Sequence, residues 1–478
     1  MPSVDRILLF GILLAAAPAV ADEDLDLNLI PKGIPLPQQQ QQPGPEHATA
    51  PAAATAGTDT SQRIYIENAV TVNVRRDHLL VPTPAAPPPD WQERLFIDAR
   101  RDWNPVENLT LTYSGRLGFR AENDISFPSH ENIRHDFREG YASWAAFPGT
   151  YLDAGRINLK SGVAVGYNPT DFFKTRAVVE PLSFDPAVLR ENRLGTLMAR
   201  AQHIWDGGAF SVAFAPKIYD PSPIYSNTNL PSFDPMFDRT NAHDRLLLKG
   251  SVDFGADISP EFLLYHEADR TQVGANITRS IGQSVVAYAE WAGGRRASLI
   301  DDALRYGRQT GTLPAGAPSA LPESSKKSFQ NDLTVGLSYT TESKITFNLE
   351  YQFHQAGFSG RDWDNWFNIG QSRPSLPVRG QLWYIRSYAL DQQEPLSQNY
   401  LFLRADWVDA FVRDLELTGF IRTDLHDGSS LIQVTADYYL SNAWTIGALA
   451  AANIGGRHSD FGSLPQEASI IFKLARYF

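Results

Sequence analysis

The 478-residue chain carries a net charge of −12, contains no cysteine and is 11% aromatic. The acidic balance argues against nucleic acid as a partner, and the lack of cysteine excludes disulfides and thiolate metal sites. A mean hydropathy of −0.28 is too polar for a bundle of transmembrane helices. A transmembrane β-barrel is compatible with this value, because only alternate residues of each strand face lipid.

The N-terminal part indicates export followed by a segment that cannot build a core. An apolar run that begins at Ile7 and a small-residue cleavage site at 19–21 predict a secretory signal peptide over residues 1–21. A membrane anchor is the alternative, but it needs about 20 apolar residues. Residues 22–61 are rich in Pro, Gln and Ala and predict a disordered periplasmic arm. This arm is either a plain linker or a docking segment for periplasmic or inner-membrane synthesis machinery.

From residue 62 onward the chain alternates apolar and polar residues in short runs, a pattern of β-strands. In the C-terminal run EASIIFKLARYF, the residues Ile470, Phe472, Leu474 and Phe478 share one face. Outer-membrane barrels characteristically close with a strand that ends in such an aromatic residue. A soluble β-sandwich alternates as well, so the local pattern does not distinguish the two folds.

Loop lengths do distinguish them. Short connections such as 148–149 alternate along the chain with long ones such as 158–194 and 357–396, which is typical of barrels with short periplasmic turns and long extracellular loops. Because both termini of a bacterial barrel are periplasmic, this sorting requires a first strand at 63–76. We therefore predict an all-β fold, a transmembrane antiparallel β-barrel over 62–478 with about 18 strands, 16 being the alternative count.

Eighteen strands leave an aqueous lumen, and the polar faces of the strands predict its lining. The predicted lining carries charges of both signs, which would set a transverse field and select solutes by size and hydrogen bonding. Alternatively, each charge pairs across strands and stiffens the wall. The predicted lining includes Arg116, Arg120, Glu290, Glu350, Arg404 and Arg422.

The most unusual loop is 158–194, which is long but has the apolar content of buried structure. If it folds into the lumen as a constriction, it places charged side chains in the pore, namely Lys174, Arg176, Arg190 and Arg193. The alternative is a lid that packs on the rim. The stretch 361–390 is rich in Trp and Tyr, which suit either stacking on sugar rings or the aromatic girdle at the membrane interface.

The motifs of common hydrolases and metalloenzymes do not occur. The chain contains neither G-x-S-x-G nor H-E-x-x-H, and its ten histidines lack the spacing of metal ligands. No nucleotide-binding motif occurs that could supply a driving force. We therefore expect a passive conduit rather than an enzyme, and no cofactor.

The stretch DFREGYASWAAFPGTYLDAGRINLKSG resembles the alginate-export porin family, whose members are 18-stranded outer-membrane barrels that export polysaccharide. In that family a similar Arg-Glu-aromatic strand, a turn containing Pro-Gly and a Gly-Arg strand precede a pore-narrowing segment. The resemblance covers about 25 residues well. It implies that Arg138, Glu139 and Arg156 line the pore and contact an acidic exopolysaccharide.

The sequence thus predicts a channel in the bacterial outer membrane whose task is passive export of an exopolysaccharide. Its expected partners are outer-membrane lipid and a polysaccharide or small-solute cargo. The alternative function is a diffusion porin for the uptake of small solutes. A structural or adhesion barrel with a blocked lumen would result if 158–194 closed the pore.

Overall fold

Eighteen antiparallel strands form one closed sheet in the computed structural model, which describes residues 61–85, 87–123, 133–178, 182–224, 234–254, 258–324 and 326–478. Each strand pairs with its neighbours in sequence, and β1 pairs with both β2 and β18, so the sheet closes on itself. The predicted signal peptide and nearly all of the predicted arm lie outside the described residues.

The strands follow one another in chain order around the barrel. They are β1 Ser61–Arg75, β2 Trp91–Val106, β3 Leu109–Glu122, β4 Ile133–Phe147, β5 Thr150–Ile157, β6 Thr196–Trp205, β7 Gly208–Ala215, β8 Arg245–Val252, β9 Ile258–Glu267, β10 Arg270–Ile281, β11 Val285–Arg296, β12 Ser328–Thr340, β13 Ile345–His354, β14 Asn399–Trp407, β15 Leu415–Asp424, β16 Ser430–Ser441, β17 Trp444–Ile454 and β18 Gln466–Tyr477. The predicted count of 18 is confirmed, and the alternative of 16 strands is excluded.

The connections are sorted by length between the two ends of the barrel. At the periplasmic end, where both termini of the sheet lie, every turn is short, and the longest is 408–414. At the extracellular end most connections are long, and only 268–269 and 425–429 are brief. The long extracellular connections include 76–90, 158–195, 216–244, 297–327 and 355–398.

The outer face of the barrel is apolar. On β1, Val70, Val72 and Val74 point outward and are 37–50% exposed, whereas Glu67 and Thr71 point inward and are buried. A closed sheet satisfies all of its backbone hydrogen bonds between strands and has no free edge, which permits it to span lipid. The protein is therefore a β-barrel of the bacterial outer membrane. None of the helices within the described ranges is long and apolar enough to cross a membrane.

The extracellular loops build a helical cap, which we define as helices α3 Leu299–Gln309, α4 Gly360–Gln371 and α5 Leu376–Gln392. Ser298 caps α3, and Ser359 forms a capping box with Asp362 at the start of α4. The helices bury a shared hydrophobic core that includes Trp363, Trp366, Leu304, Leu382 and Ile385. Two shorter helices, α1 Pro186–Glu191 and α2 Phe237–Thr240, lie in other extracellular loops.

A charge on the outer face should destabilise the barrel much more than one on the inner face. Val434 on β16 points outward and is 50% exposed, and its neighbour Thr435 points inward at the same depth. We expect Val434→Arg to lower the free energy of unfolding from lipid by about 2–4 kcal/mol, because the charge lies in the apolar belt. Thr435→Arg should cost much less, since the inward face of β16 is polar at this level, with Gln433 and Asp437 on either side of Thr435. Urea titration of the folded barrel in vesicles measures both, and equal losses would contradict this assignment of the two faces.

Candidate functional site

The connection between β5 and β6, residues 158–195, enters the barrel and crosses its lumen; we call it the crossing segment. Its first half contacts inward-facing residues of β11 and β13, and its second half contacts β14 and β16 on another part of the wall. Residues 179–181 within it are not among the described residues. The segment therefore runs through the lumen rather than over the rim.

The first anchor of the crossing segment is Glu290 on β11, a fully buried carboxylate. Its Oε2 accepts hydrogen bonds from the backbone N–H groups of Val163 at 2.9 Å and Ala164 at 3.1 Å. Its Oε1 accepts from both the N–H and the hydroxyl of Thr170, each at 2.8 Å. The side-chain amide of Asn168 adds a longer hydrogen bond to Oε2 at 3.4 Å, so five donors from one segment converge on a single wall carboxylate.

The second anchor is Glu350 on β13, which is also fully buried. Its two oxygens accept hydrogen bonds from the N–H groups of Val165 at 2.6 Å and Gly166 at 3.0 Å. The wall residues Tyr288 and Gln352 donate to the same carboxylate at 2.8 and 2.9 Å. The predicted lining residue Glu350 therefore holds the segment in place and does not face open water.

Two glycines allow the segment to approach these anchors. Gly162 has φ of +90°, and a Cβ there would lie 2.4 Å from a carboxylate oxygen of Glu290. A Cβ on Gly166 would lie 2.4 Å from the amide nitrogen of Gln352 and 2.6 Å from the ring of Phe402. Gly162 is required both by its backbone conformation and by its close approach to Glu290, and Gly166 is required by its close approach to the wall.

An apolar patch on the inner wall holds the middle of the segment. Phe172 stacks on Tyr265 of β9 with ring centroids 4.5 Å apart, and Phe173 meets the same ring edge-on at 5.9 Å. The patch extends over Met198, Leu247 and Leu263, and the segment buries it. The apolar composition of 158–194 thus reflects packing against the inside of the barrel.

The second half of the segment reaches a separate region of the wall. Arg404 on β14 forms an ion pair with Asp185 at 3.0 Å. Gln433 on β16 donates to the hydroxyl of Ser183 at 2.8 Å and accepts from the N–H of Phe184 at 2.8 Å. The predicted lining residue Arg404 is therefore another attachment point, with its side chain only 4% exposed.

Three of the four cations predicted to reach the pore are used within the segment. Arg193 and Arg190 lie 3.0 and 3.7 Å from the carboxylate of Asp171. The ammonium of Lys174 donates to the carbonyl of Asn168 at 2.7 Å and lies 4.4 Å from the ring centre of Tyr167. Burial lowers the pKa of Lys174 and of Arg193. Their charges stabilise the fold of the segment instead of lining open water.

The fourth cation, Arg176, connects the crossing segment to the cap. Its Nε lies 3.0 Å from Asp391 at the end of α5, and its N–H donates to the backbone carbonyl of the same residue at 2.9 Å. Arg239 of α2 meets the other oxygen of Asp391 at 2.9 Å. Arg176 also donates to the hydroxyls of Tyr306 on α3 and of Ser222. One buried junction therefore joins four extracellular loops.

The wall from β2 to β4 carries paired charges of both signs. Arg116 binds both oxygens of Asp98 at 2.6 and 2.7 Å, and Arg138 lies 3.3 Å from the same carboxylate. Glu139 pairs with Arg100 at 3.0 Å. Arg138 and Glu139 are adjacent but both face the lumen, because the register between β3 and β4 shifts there in a β-bulge.

Arg120 and Arg422 also belong to inward faces, in different parts of the wall. Arg120 on β3 lies 3.7 Å from Glu122, with its side chain 24% exposed. The guanidinium of Arg422 on β15 stacks on the ring of Tyr400 at 4.5 Å. Both of these contacts are made with residues of the barrel wall.

Arg156 departs from the predicted lining. On β5 it shares a face with Leu152, which points outward and is 39% exposed, so its side chain leaves the wall on the outer side. Its guanidinium is buried near the rings of Phe137 and Phe237 and donates to the carbonyl of Gly195 at 2.8 Å. The implication of the family resemblance that Arg156 lines the pore is therefore wrong, because alternation along β5 places Arg156 on the same outer face as Leu152.

The aromatic stretch 361–390 serves neither of its two predicted purposes. Trp363 and Trp366 are at most 2% exposed, inside the cap. Arg386 lies among them, 5.3 Å from each ring centre, and pairs with Asp460 at 2.8 Å. Burial lowers the pKa of Arg386 and raises that of Asp460. These rings form the hydrophobic core of the cap.

The described residues contain no group of three or more His, Cys, Asp or Glu that is suited to bind a metal ion.

The crossing segment involves residues whose importance the sequence did not reveal. Asp391 carries no sequence signal, since its partners are 215 and 152 positions away. Glu290 stood in the predicted lining, but its role as an acceptor for a loop was not evident. The only sequence signal for it was a glutamate on the polar face of an otherwise apolar strand.

Comparisons with known proteins agree with this barrel. The chain matches no protein-family model and no curated sequence. Among solved structures it is similar to OccK11 (OpdR) of Pseudomonas aeruginosa, with a TM-score of 0.51, 11% identity and coverage of 88% of this chain and 96% of that one. OpdQ of the same organism gives a TM-score of 0.51, 10% identity and coverage of 88% and 99%. OpdK, solved with vanillate, gives a TM-score of 0.50, 10% identity and coverage of 88% and 100%. The shared property is the fold.

These neighbours overturn two expectations. They are OccK and Opd diffusion porins rather than alginate-export proteins, so the resemblance to the alginate-export family is wrong. The local match covered about 25 residues, and one of its three implied pore residues, Arg156, lies outside the lumen. The expectation of exopolysaccharide export is wrong as well, since the neighbours with this architecture are porins for small solutes.

Removing the first anchor should release the crossing segment. Glu290→Ala leaves the N–H groups of Val163, Ala164 and Thr170 without their acceptor, at about 1–3 kcal/mol for each buried donor. We expect faster proteolysis within 158–195 and a larger single-channel conductance. The matched control is Glu416→Ala, another inward carboxylate, whose hydrogen bond goes to Tyr439 on the wall. Proteolysis at the rate of the wild type would refute the anchoring role.

Removing the charge at the junction should loosen the cap. Asp391→Asn leaves the buried guanidinium groups of Arg176 and Arg239 without a carboxylate, a change that typically costs about 3–5 kcal/mol. Hydrogen exchange should become faster in 174–178 and in α2. Asp364→Asn, on the exposed side of α4, is the control and should leave exchange unchanged. Unaltered protection in the Asp391 variant would show that the junction does not fix these loops.

Proposed function

We propose that the protein is a passive diffusion channel through which small solutes cross the outer membrane. The observation that carries this proposal is the crossing segment, which occupies part of the lumen and is attached to Glu290, Glu350 and Arg404 on separate strands. We propose that the segment narrows the lumen without closing it, so that passages remain beside the segment. Small molecules can follow such passages.

The wall from β2 to β4 is the proposed lining of the passage. Its charged side chains include Arg100, Arg116, Arg120, Arg138 and Glu139, and the side chain of Arg100 is 34% exposed. Most of these charges are paired with a neighbour of opposite sign, so their fields largely cancel at a distance and act at short range. We therefore propose that the channel selects solutes by size and hydrogen bonding, with little preference between anions and cations.

The solute class is also a proposal. OpdK, one of the structural neighbours, was solved with vanillate. A small aromatic acid is thus the first candidate to test in this chain, beside neutral sugars of similar size. Arg100 is the most exposed of the arginines named on this wall, and its guanidinium can hydrogen-bond a carboxylate in passing.

The test is swelling of liposomes that contain the purified barrel, with solutes of graded size. We expect permeation by monosaccharides and vanillate and exclusion of long oligosaccharides. Glu290→Ala should raise the size limit because it frees the crossing segment, and Glu416→Ala should not. Passage of long oligosaccharides through the wild type, or no passage of any solute, would contradict the proposal.

A further inference from the structure

The membrane-facing side of β10 to β14 contains an apolar groove with a volume of about 540 Å³. Its floor is formed at Ala287 and Ala289 of β11, whose short side chains both point outward. Ile277 on β10 forms one flank, and Val335 and Leu337 on β12 form the other. Two alanines between larger apolar residues thus create the groove in the apolar outer face of the barrel.

A single cation lies at the periplasmic end of this groove. Arg279 lines it and points outward on the same face as Ile277, two residues before β10 ends at Ile281. The turn that follows β10 is one of the periplasmic turns, so this guanidinium lies at the level of the lipid headgroups. The side chain of Arg279 makes no hydrogen bond or ion pair with any residue in the described ranges.

We infer that the groove binds one phospholipid of the periplasmic leaflet, with an acyl chain over Ala287 and Ala289 and its phosphate on Arg279. The groove faces the hydrocarbon layer, so an acyl chain fills it without displacing water. The phosphate supplies the opposite charge that Arg279 lacks, and a guanidinium is suited to bind phosphate through two hydrogen bonds. The long side chain of arginine can lie along the apolar wall while its charge remains at the interface.

A specific lipid site differs from the rest of the membrane-facing surface because it retains its lipid when the protein is extracted into detergent. The barrel is reconstituted in vesicles of phosphatidylethanolamine and phosphatidylglycerol, extracted into detergent and examined by native mass spectrometry. We expect one phospholipid to remain on the wild type. Arg279→Gln should reduce the bound fraction about tenfold at limiting lipid, through loss of a charge-assisted pair. Arg279→Lys, which keeps the charge, should retain much of it.

The second variant fills the groove without a change of charge. Ala287→Leu combined with Ala289→Leu should abolish the retention of phospholipid. Inorganic phosphate added to the wild type should not displace the bound phospholipid, because it lacks the acyl chain that fills the groove. The matched controls are Ala448→Leu on β17 and Arg476→Gln at the periplasmic end of β18, which face outward away from the groove. Both should retain lipid as the wild type does.

Three outcomes would overturn the inference. The first is equal retention of phospholipid by the filled variant and the wild type. The second is an equal loss in the Arg476→Gln control, which would indicate a general effect of interfacial charge. The third is a change in oligomeric size of the filled variant with its bound lipid unchanged, which would make the groove a contact with a second copy of the chain.

Discussion

The hydrogen bonds from the crossing segment to Glu290 and Glu350 are the interaction on which the interior of this barrel depends. A buried carboxylate without partners is costly, and so is irregular backbone with unsatisfied N–H groups. The wall carboxylates provide hydrogen-bond acceptors for the backbone N–H groups of the crossing segment, and these N–H groups provide the donors that the buried carboxylates need. Non-helical backbone at membrane depth persists where protein surrounds it or where it borders an aqueous cavity. The wall and the segment are therefore stable together and not separately.

The extracellular loops extend this arrangement outward. Arg176 follows the anchored part of the segment and binds Asp391, which lies in the last turn of α5, the longest helix of the cap. The cap has a hydrophobic core of its own, so its helices are expected to move together as one rigid unit rather than independently. A movement of the cap consequently reaches the lumen through a junction of a few side chains.

The sequence predicted the barrel because strand alternation and loop sorting are local properties. The strand at Thr150–Ile157 fills the interval between the predicted connections 148–149 and 158–194, and the first strand differs from its predicted range by only one or two residues at each end. The interior was predicted less well, since its contacts join distant residues. The bulge at Arg138 turns two adjacent residues, Arg138 and Glu139, toward the lumen, which regular strand alternation does not predict. The aromatic residues of 361–390 have similar patterns in a cap core, a sugar site or a girdle, and only tertiary packing separates these uses.

The position of the crossing segment in the chain has a consequence for assembly. Thr170 lies 120 positions before its anchor on β11, and Phe184 lies 249 positions before its partner on β16. Its partners lie on β11, β13, β14 and β16, all of which follow the segment in the chain, and the sheet itself closes only where β18 meets β1. The segment can therefore complete its contacts only after these strands have formed, and the lumen acquires its final shape late in assembly.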